Sequence, residues 1–494
     1  MKRAIPRRAL VVISAVTIVP VWAGQWEREA GVSASAIYSD NICMLSENCI
    51  DKLVGTLTPR ICLKSDSQLN EIDLYAAVQF NTLENSNVNC SATGANTISP
   101  APRIRFSSDS ILVNNLLYLE TTGFADQNRI NAFQAGGDDP INGRGNLNTS
   151  YQYSVAPYIA RRLTDKTEML LQYRYSEEFN TENDLYDNQR QEVQFAFGIS
   201  PERSRFSAGL LGSYSDVEYA NRPAGQDSFN SELSSMRVRA AYQMSRAFQI
   251  NGYAGEEWND YVTVFQDDDG GFWDIGLTWT PNTRVAIEVG TGESFFGDTP
   301  RASVSYRHKH SMVSASYRRE LTYSRSLRGS DPFADDIDDL VDDGLPGDQD
   351  VMGLGGRDTT FAKSAVLDES LLLSYRYNGR RTSASISGSR SVQTRFEDGY
   401  EDQFTYVGLG LKRDFGRRLS VFSRLTWHRR EPDGLRIGGI YRKSDLTRIT
   451  LGVNRDLGNR ASVSLSYQYA DNQSDNERDD YDENRIILSL DYQF

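Results

Sequence analysis

Eight arginines, Arg174, Arg237, Arg239, Arg301, Arg307, Arg376, Arg424 and Arg448, stand at the polar positions of alternating segments, with Glu168, Glu192, Glu288 and Asp368 among them. A guanidinium is a planar fork of donors that pairs with carboxylates and stacks on tyrosine rings. Two uses follow: mutual pairing that stiffens a wall, or contact with an anionic or sugar polymer. The supply is biased toward that chemistry, with 45 Arg against eight Lys, and 26 Tyr. Other reactive groups are sparse. His308, His310 and His428 are the only imidazoles, and the first two bracket Lys309 at an expected turn, where they are solvated. No Ser-centred elbow or Walker loop is present. Gly408-Leu409-Gly410 lies inside a strand pattern, where glycine marks curvature or close packing. The residues therefore point to no enzyme and to no cofactor. A pI near 4.9 and a net charge of −14 disfavour nucleic acid.

Four cysteines, Cys43, Cys49, Cys62 and Cys90, fall in the first quarter of the chain. In an oxidising compartment they would form disulfides. Cys43 and Cys49 share one expected loop, which makes their pairing the leading expectation; pairing of Cys90 with either is also open, and spacing alone does not choose. A zinc site is not expected without nearby histidine. Between Asp331 and Asp350 stand nine aspartates and no basic residue. The run does not follow calcium-loop spacing and reads as a solvated loop.

The elements that position these residues alternate with period two. Thr167, Met169, Leu171, Tyr173 and Tyr175 oppose Glu168, Gln172, Arg174 and Ser176; Met236, Val238, Ala240 and Tyr242 oppose Arg237, Arg239, Ala241 and Gln243. One face suits hydrocarbon and the other water, over roughly ten residues, which is the span of a tilted membrane strand. No apolar run reaches the roughly 20 residues of a membrane helix. Connections are asymmetric. Leu163 to Lys166, Ser245 to Ala247, Pro281 to Thr283, Asn378 to Arg381 and Asp456 to Asn459 are tight; Asn180 to Asn188, Asn259 to Gly270, 326–360 and Asp471 to Glu483 are long and acidic.

These features define an all-β fold: a transmembrane antiparallel up-and-down β-barrel of about 22 strands (18–22), with no separate plug domain. Strand starts are expected at about Ala30, Leu147, Thr167, Phe206, Phe248, Ala365, Thr382, Leu419, Ala461 and Asn484, among others. The first five strands are weakly patterned. A soluble sandwich also alternates, but it would split into domains of ordinary size, and these hairpins run on without a linker. Residues 1–23, with Lys2, Arg3, Arg7 and Arg8 before an apolar stretch and Val21-Trp22-Ala23 at its end, read as a signal peptide. That leaves 24–494 as the barrel, with 326–360 its longest loop. The closing strand places Leu488, Leu490, Tyr492 and Phe494 on one face and ends in aromatic-x-Phe, resembling the signal read by barrel-assembly machinery. The expected location is the outer membrane of a Gram-negative bacterium, with its lipid as partner and both termini periplasmic.

The stretch from Gly271 to Arg284 (GFWDIGLTWTPNTR) resembles the outer-membrane proteins associated with PEP-CTERM/exosortase systems, related to β-barrel porins of exopolysaccharide loci. Further matching pieces are Tyr38-Ser39-Asp40-Asn41, Gly252-Tyr253, Ser294 to Gly297, Ser316 to Thr322 and Tyr481 to Arg485. The resemblance implies a porin-like conduit linked to exopolysaccharide export or surface assembly, with exopolysaccharide or export-system proteins as partners. The alternative is a barrel plugged by its own loops, serving as a scaffold that anchors matrix or sorted proteins. The four cysteines and the Asp-rich loop depart from the family's pattern.

Overall fold

A computed structural model describes residues 25–494 apart from 83–99, 134–140, 142–145, 183–184, 200–204, 221–228, 266–267, 324–361, 363, 434, 437–438, 441–442 and 478. Among the described residues, 22 strands of 7 to 16 residues each pair antiparallel with their sequence neighbours. Three two-residue strands, Gly297–Asp298, Leu435–Arg436 and Gly439–Ile440, sit in the connections. The first strand, Gln25–Ser39, pairs with Lys52–Asp66 on one side and with the last strand, Tyr481–Gln493, on the other, so the sheet closes on itself. Closure leaves no unpaired edge, the condition hydrocarbon imposes on any sheet that crosses it.

The alternation in the sequence becomes the two faces of the wall. In the last strand Leu488 and Leu490 are 50% and 46% exposed, while Ile487 and Ser489 are 7% and 5% exposed. Leu488, Leu490, Tyr492 and Phe494 all point away from the lumen, and the Tyr492 and Phe494 rings meet edge to face. Trp279 stacks on Phe248 on the same outer surface. Such side chains cost free energy in water and none in lipid, which orients the whole wall. The strands Leu147–Arg162, Thr167–Asn180, Phe206–Tyr219, Phe248–Asp260, Ala365–Asn378, Thr382–Arg395, Leu419–Pro432 and Ala461–Ser474 begin where the pattern predicts. The first begins at Gln25, ahead of the expected Ala30, and the last at Tyr481, ahead of Asn484. Both errors have one cause: strands that project beyond the membrane lose the lipid-imposed alternation while keeping their backbone pairing.

Polar side chains on both faces of the wall hold the seam, with Arg60–Asp491 and Ser39–Glu483 on the lumen side and Asp40–Asn484 on the outer side. Arg60 reaches across the first strand to form a two-pronged ion pair with Asp491, with Nη2 2.7 Å from Oδ1. Gly31 lies beneath it, and a Cβ there would meet the Tyr492 carbonyl oxygen at 2.9 Å and the Arg60 guanidinium carbon at 3.2 Å. Nearer the long loops Ser39 donates to Glu483, and Asn484 donates through Nδ2 to Asp40 at 2.8 Å.

Candidate functional site in the barrel lumen

All eight arginines lie on the inner face. Arg174 follows the outward Tyr173, Arg237 and Arg239 flank the outward Val238, Arg307 follows Tyr306, Arg376 sits between Tyr375 and Tyr377, and Arg424 and Arg448 precede Leu425 and Ile449. Arg301 reaches the buried inner Asp274. The fold does not gather them into one cluster; they are spread around the wall, and both carboxylate pairing and packing on a tyrosine ring occur. Arg174 donates to Glu120 at 3.0 Å. Arg301 is clasped by Asp274 at 2.8 Å, by Glu288 and by the Asn251 side-chain oxygen at 2.9 Å. Arg237 lies over the Tyr253 ring at 5.1 Å. Arg239 and Arg307, by contrast, are exposed to the lumen and make no ion pair among the described residues.

Further inner ion pairs gather around three arginines; the first needs the closed barrel, and the other two are local to one strand or one hairpin. Arg60 and Asp491 are the first. Arg485 donates to Glu483 at 2.6 Å, both nearly fully buried. Arg395, 2% exposed, binds Asp398 and Asp402 at 3.1 Å each.

The two ends of the lumen differ. At the long-loop end, connections turn inward. Ile42 and Cys43 pack with Ile141 on the inner-face residues Ile37, Val54 and Ile487. Met44 packs on Leu446, Ala470 and Tyr481. Phe133 stacks on Phe404 with ring centroids 5.7 Å apart, which carries the connection after Leu117–Arg129 to the inner face of Glu401–Asp414 on a distant part of the wall. Tyr261 packs with Ala365, Leu367 and Phe396, and that burial pushes its phenol above the ordinary tyrosine range. Residues Ala365 to Asp368 are all buried, so both faces of the strand are covered there. At the short-turn end no such filling is seen among the described residues. Instead a hollow of about 870 Å³ opens between Tyr118, Ala160, Arg162, Glu168, Leu170, Leu211 and Arg239.

The expected Cys43–Cys49 bridge is not formed. Cys43 is disulfide-bonded, but Cys49 is an exposed free thiol that donates to the Leu45 carbonyl, and Cys62 is also free. The reason is local: the connection after the first strand turns Cys43 into the apolar layer beneath Ile42 and leaves Cys49 on the surface. Cys90, the Asp-rich run of 331–350 and the signal segment 1–23 lie outside the described residues. His308 and His310 lie at the short turn as expected, with His310 Nδ1 3.2 Å from the Asn378 carbonyl oxygen. His428 packs against Tyr406.

A closed 22-strand meander with an apolar outer surface and a charged inner one defines a membrane-spanning β-barrel of the outer-membrane type. No protein-family model and no curated protein matches the chain. Its fold is similar to that of solved outer-membrane receptors. The FrpB iron transporter from Neisseria meningitidis aligns over 95% of this chain and 83% of that one, with 8% identity and a TM-score of 0.54. The siderophore receptor PirA from Acinetobacter baumannii aligns over 94% and 80%, with 10% identity and a TM-score of 0.51. A mutant of the ferric enterobactin receptor PfeA from Pseudomonas aeruginosa aligns over 95% and 81%, with 11% identity and a TM-score of 0.51. At such identity the likeness is one of fold.

Proposed function

We propose that this protein is an outer-membrane conduit for a polar polymer, closed at rest by its own inward-turned loops, and that the polymer is exopolysaccharide, as the likeness of Gly271–Arg284 to barrels of exopolysaccharide loci implies. Both described chain ends lie at the short-turn edge, which in this reading faces the periplasm. Export-system proteins would meet that edge. The observation that carries the reading is the contrast within one lumen: an inner wall furnished with arginine, tyrosine and carboxylates along its length, and a mouth filled by apolar contacts that belong to loops. A wall meant only to be filled would not present solvent-exposed Arg237, Arg239 and Arg307 to its interior.

Planar-bilayer recording tests this. The purified barrel gives low conductance, and Phe133→Ala, which releases the ring from Phe404, raises it. A second reading, a loop-plugged surface scaffold for matrix or sorted proteins, is favoured by the same Phe133–Phe404 stack. Conductance that stays closed in Phe133→Ala, in a variant that still folds, would support the scaffold and reject the conduit.

A further inference from the structure

We propose that the hollow at the short-turn end is a binding site for a carboxylate-bearing saccharide. The inference deepens the conduit reading by naming the chemical class that the inner wall would take. Strand register builds the site as two adjacent inner rungs. The upper rung runs Ala160, Leu170, Ala196, Leu211, each the direct cross-strand partner of the next. The lower rung, one step nearer the turns, runs Arg162, Glu168, Gly198, Gly209, Arg239. Its ends are charged and its middle has no side chains, so the floor is bare backbone over three strand spacings, roughly 14 Å. Leu170 and Leu211 supply apolar surface above that floor. Tyr118 borders the hollow and is backed by Tyr158, stacked at 4.9 Å, whose hydroxyl donates to Asp109 at 3.2 Å.

Each part answers to a feature of an acidic sugar chain. The volume of about 870 Å³ falls within the range of sites that enclose an organic ligand and far exceeds what one ion needs. A buttressed aromatic ring and a leucine surface suit the C–H faces of pyranose rings, which are apolar in patches and polar at their edges. Arg162 and Glu168, 3.8 Å apart, largely cancel each other's charge while keeping donors and acceptors free for hydroxyls. Arg239, at the other end of the floor, makes no ion pair among the described residues, and with Arg161 and Arg162 against Glu168 alone the described lining is net positive. Charge complementarity then selects a saccharide with a carboxylate over a neutral one.

The test is equilibrium binding to the full barrel in detergent micelles, using an oligogalacturonate as the acidic probe and a maltooligosaccharide of equal length as the neutral one. The acidic probe binds more tightly. Arg239→Gln weakens it roughly fivefold and leaves the neutral probe unchanged, since an exposed charged contact contributes only modestly. Tyr118→Ala weakens both about tenfold, through lost apolar contact. Arg380→Gln, at an exposed short turn away from the hollow, changes neither. Equal binding of the two probes by the unaltered protein, or equal losses in Arg239→Gln and Arg380→Gln, would overturn the proposal. Binding in micelles needs no conduction, so a barrel that binds selectively but never conducts rejects the conduit and keeps the site. A barrel that conducts but binds without selectivity does the reverse.

Discussion

The long-loop end and the short-turn end of this barrel are built from the same strands yet obey different packing rules. At the long-loop end the strands outrun the membrane, and loops return into the lumen to bury Ile42, Met44 and Phe133 against the inner wall. That end has the interior of a small globular protein, with buried ion pairs such as Arg395–Asp402. At the short-turn end the connections are too short to return, so charges there remain wet, as with Arg162 and Glu168, 55% and 50% exposed. Loop length therefore decides which part of a single wall is dry, and dryness decides how much each polar contact contributes.

Substitutions can break or sharpen that contrast. The largest effect is expected for Arg395→Ala, which strands the buried Asp402 carboxylate. Loss of one member of a buried pair costs about 4 kcal/mol, read as an earlier denaturant midpoint for the refolded barrel. Phe133→Ala empties a buried aromatic position and costs about 3 kcal/mol, with the higher conductance described above as its second readout. Gly276→Val tests the middle of the wall. A Cβ at Gly276 would lie 2.4 Å from Arg301 Nη2, so the guanidinium must leave Asp274. A loss of about 2 kcal/mol is expected, again from the unfolding midpoint. The smallest effect belongs to the short-turn end: Arg162→Gln removes a solvent-exposed pair, and its cost is about 0.5 kcal/mol or less, vanishing in high salt. A loss at Arg162 equal to that at Arg395 would erase the distinction between the two ends.

Much of the wall was legible in the sequence because lipid enforces a strict rule. Wherever both neighbours of a polar residue must meet hydrocarbon, as with Arg174 between Tyr173 and Tyr175 or Arg376 between Tyr375 and Tyr377, period two gives the inner face directly. The same rule placed Leu488, Leu490, Tyr492 and Phe494 outward. It fails above the membrane, where Ala365 to Asp368 are buried on both faces and the alternation no longer separates two solvents. The cysteine expectation failed for a related reason: loop membership says nothing about which residue of a loop turns inward, and Cys43 does while Cys49 does not.

The candidate site was half legible. Spacing alone assigns Arg239 and Glu168 to the inner face, but the other residues of the hollow, Arg162 and Tyr118, come from two further strands, and only register brings all four to one hollow. The sequence by itself determined that this chain forms a membrane barrel, how its strands alternate and which arginines face inward, because those are local consequences of a wall between lipid and water. Only the tertiary structure decided which residues share a rung, which loop lies over which strand and how Arg60 meets Asp491 more than four hundred residues away. Those contacts are fixed by register and closure, and no short stretch of sequence encodes either one alone.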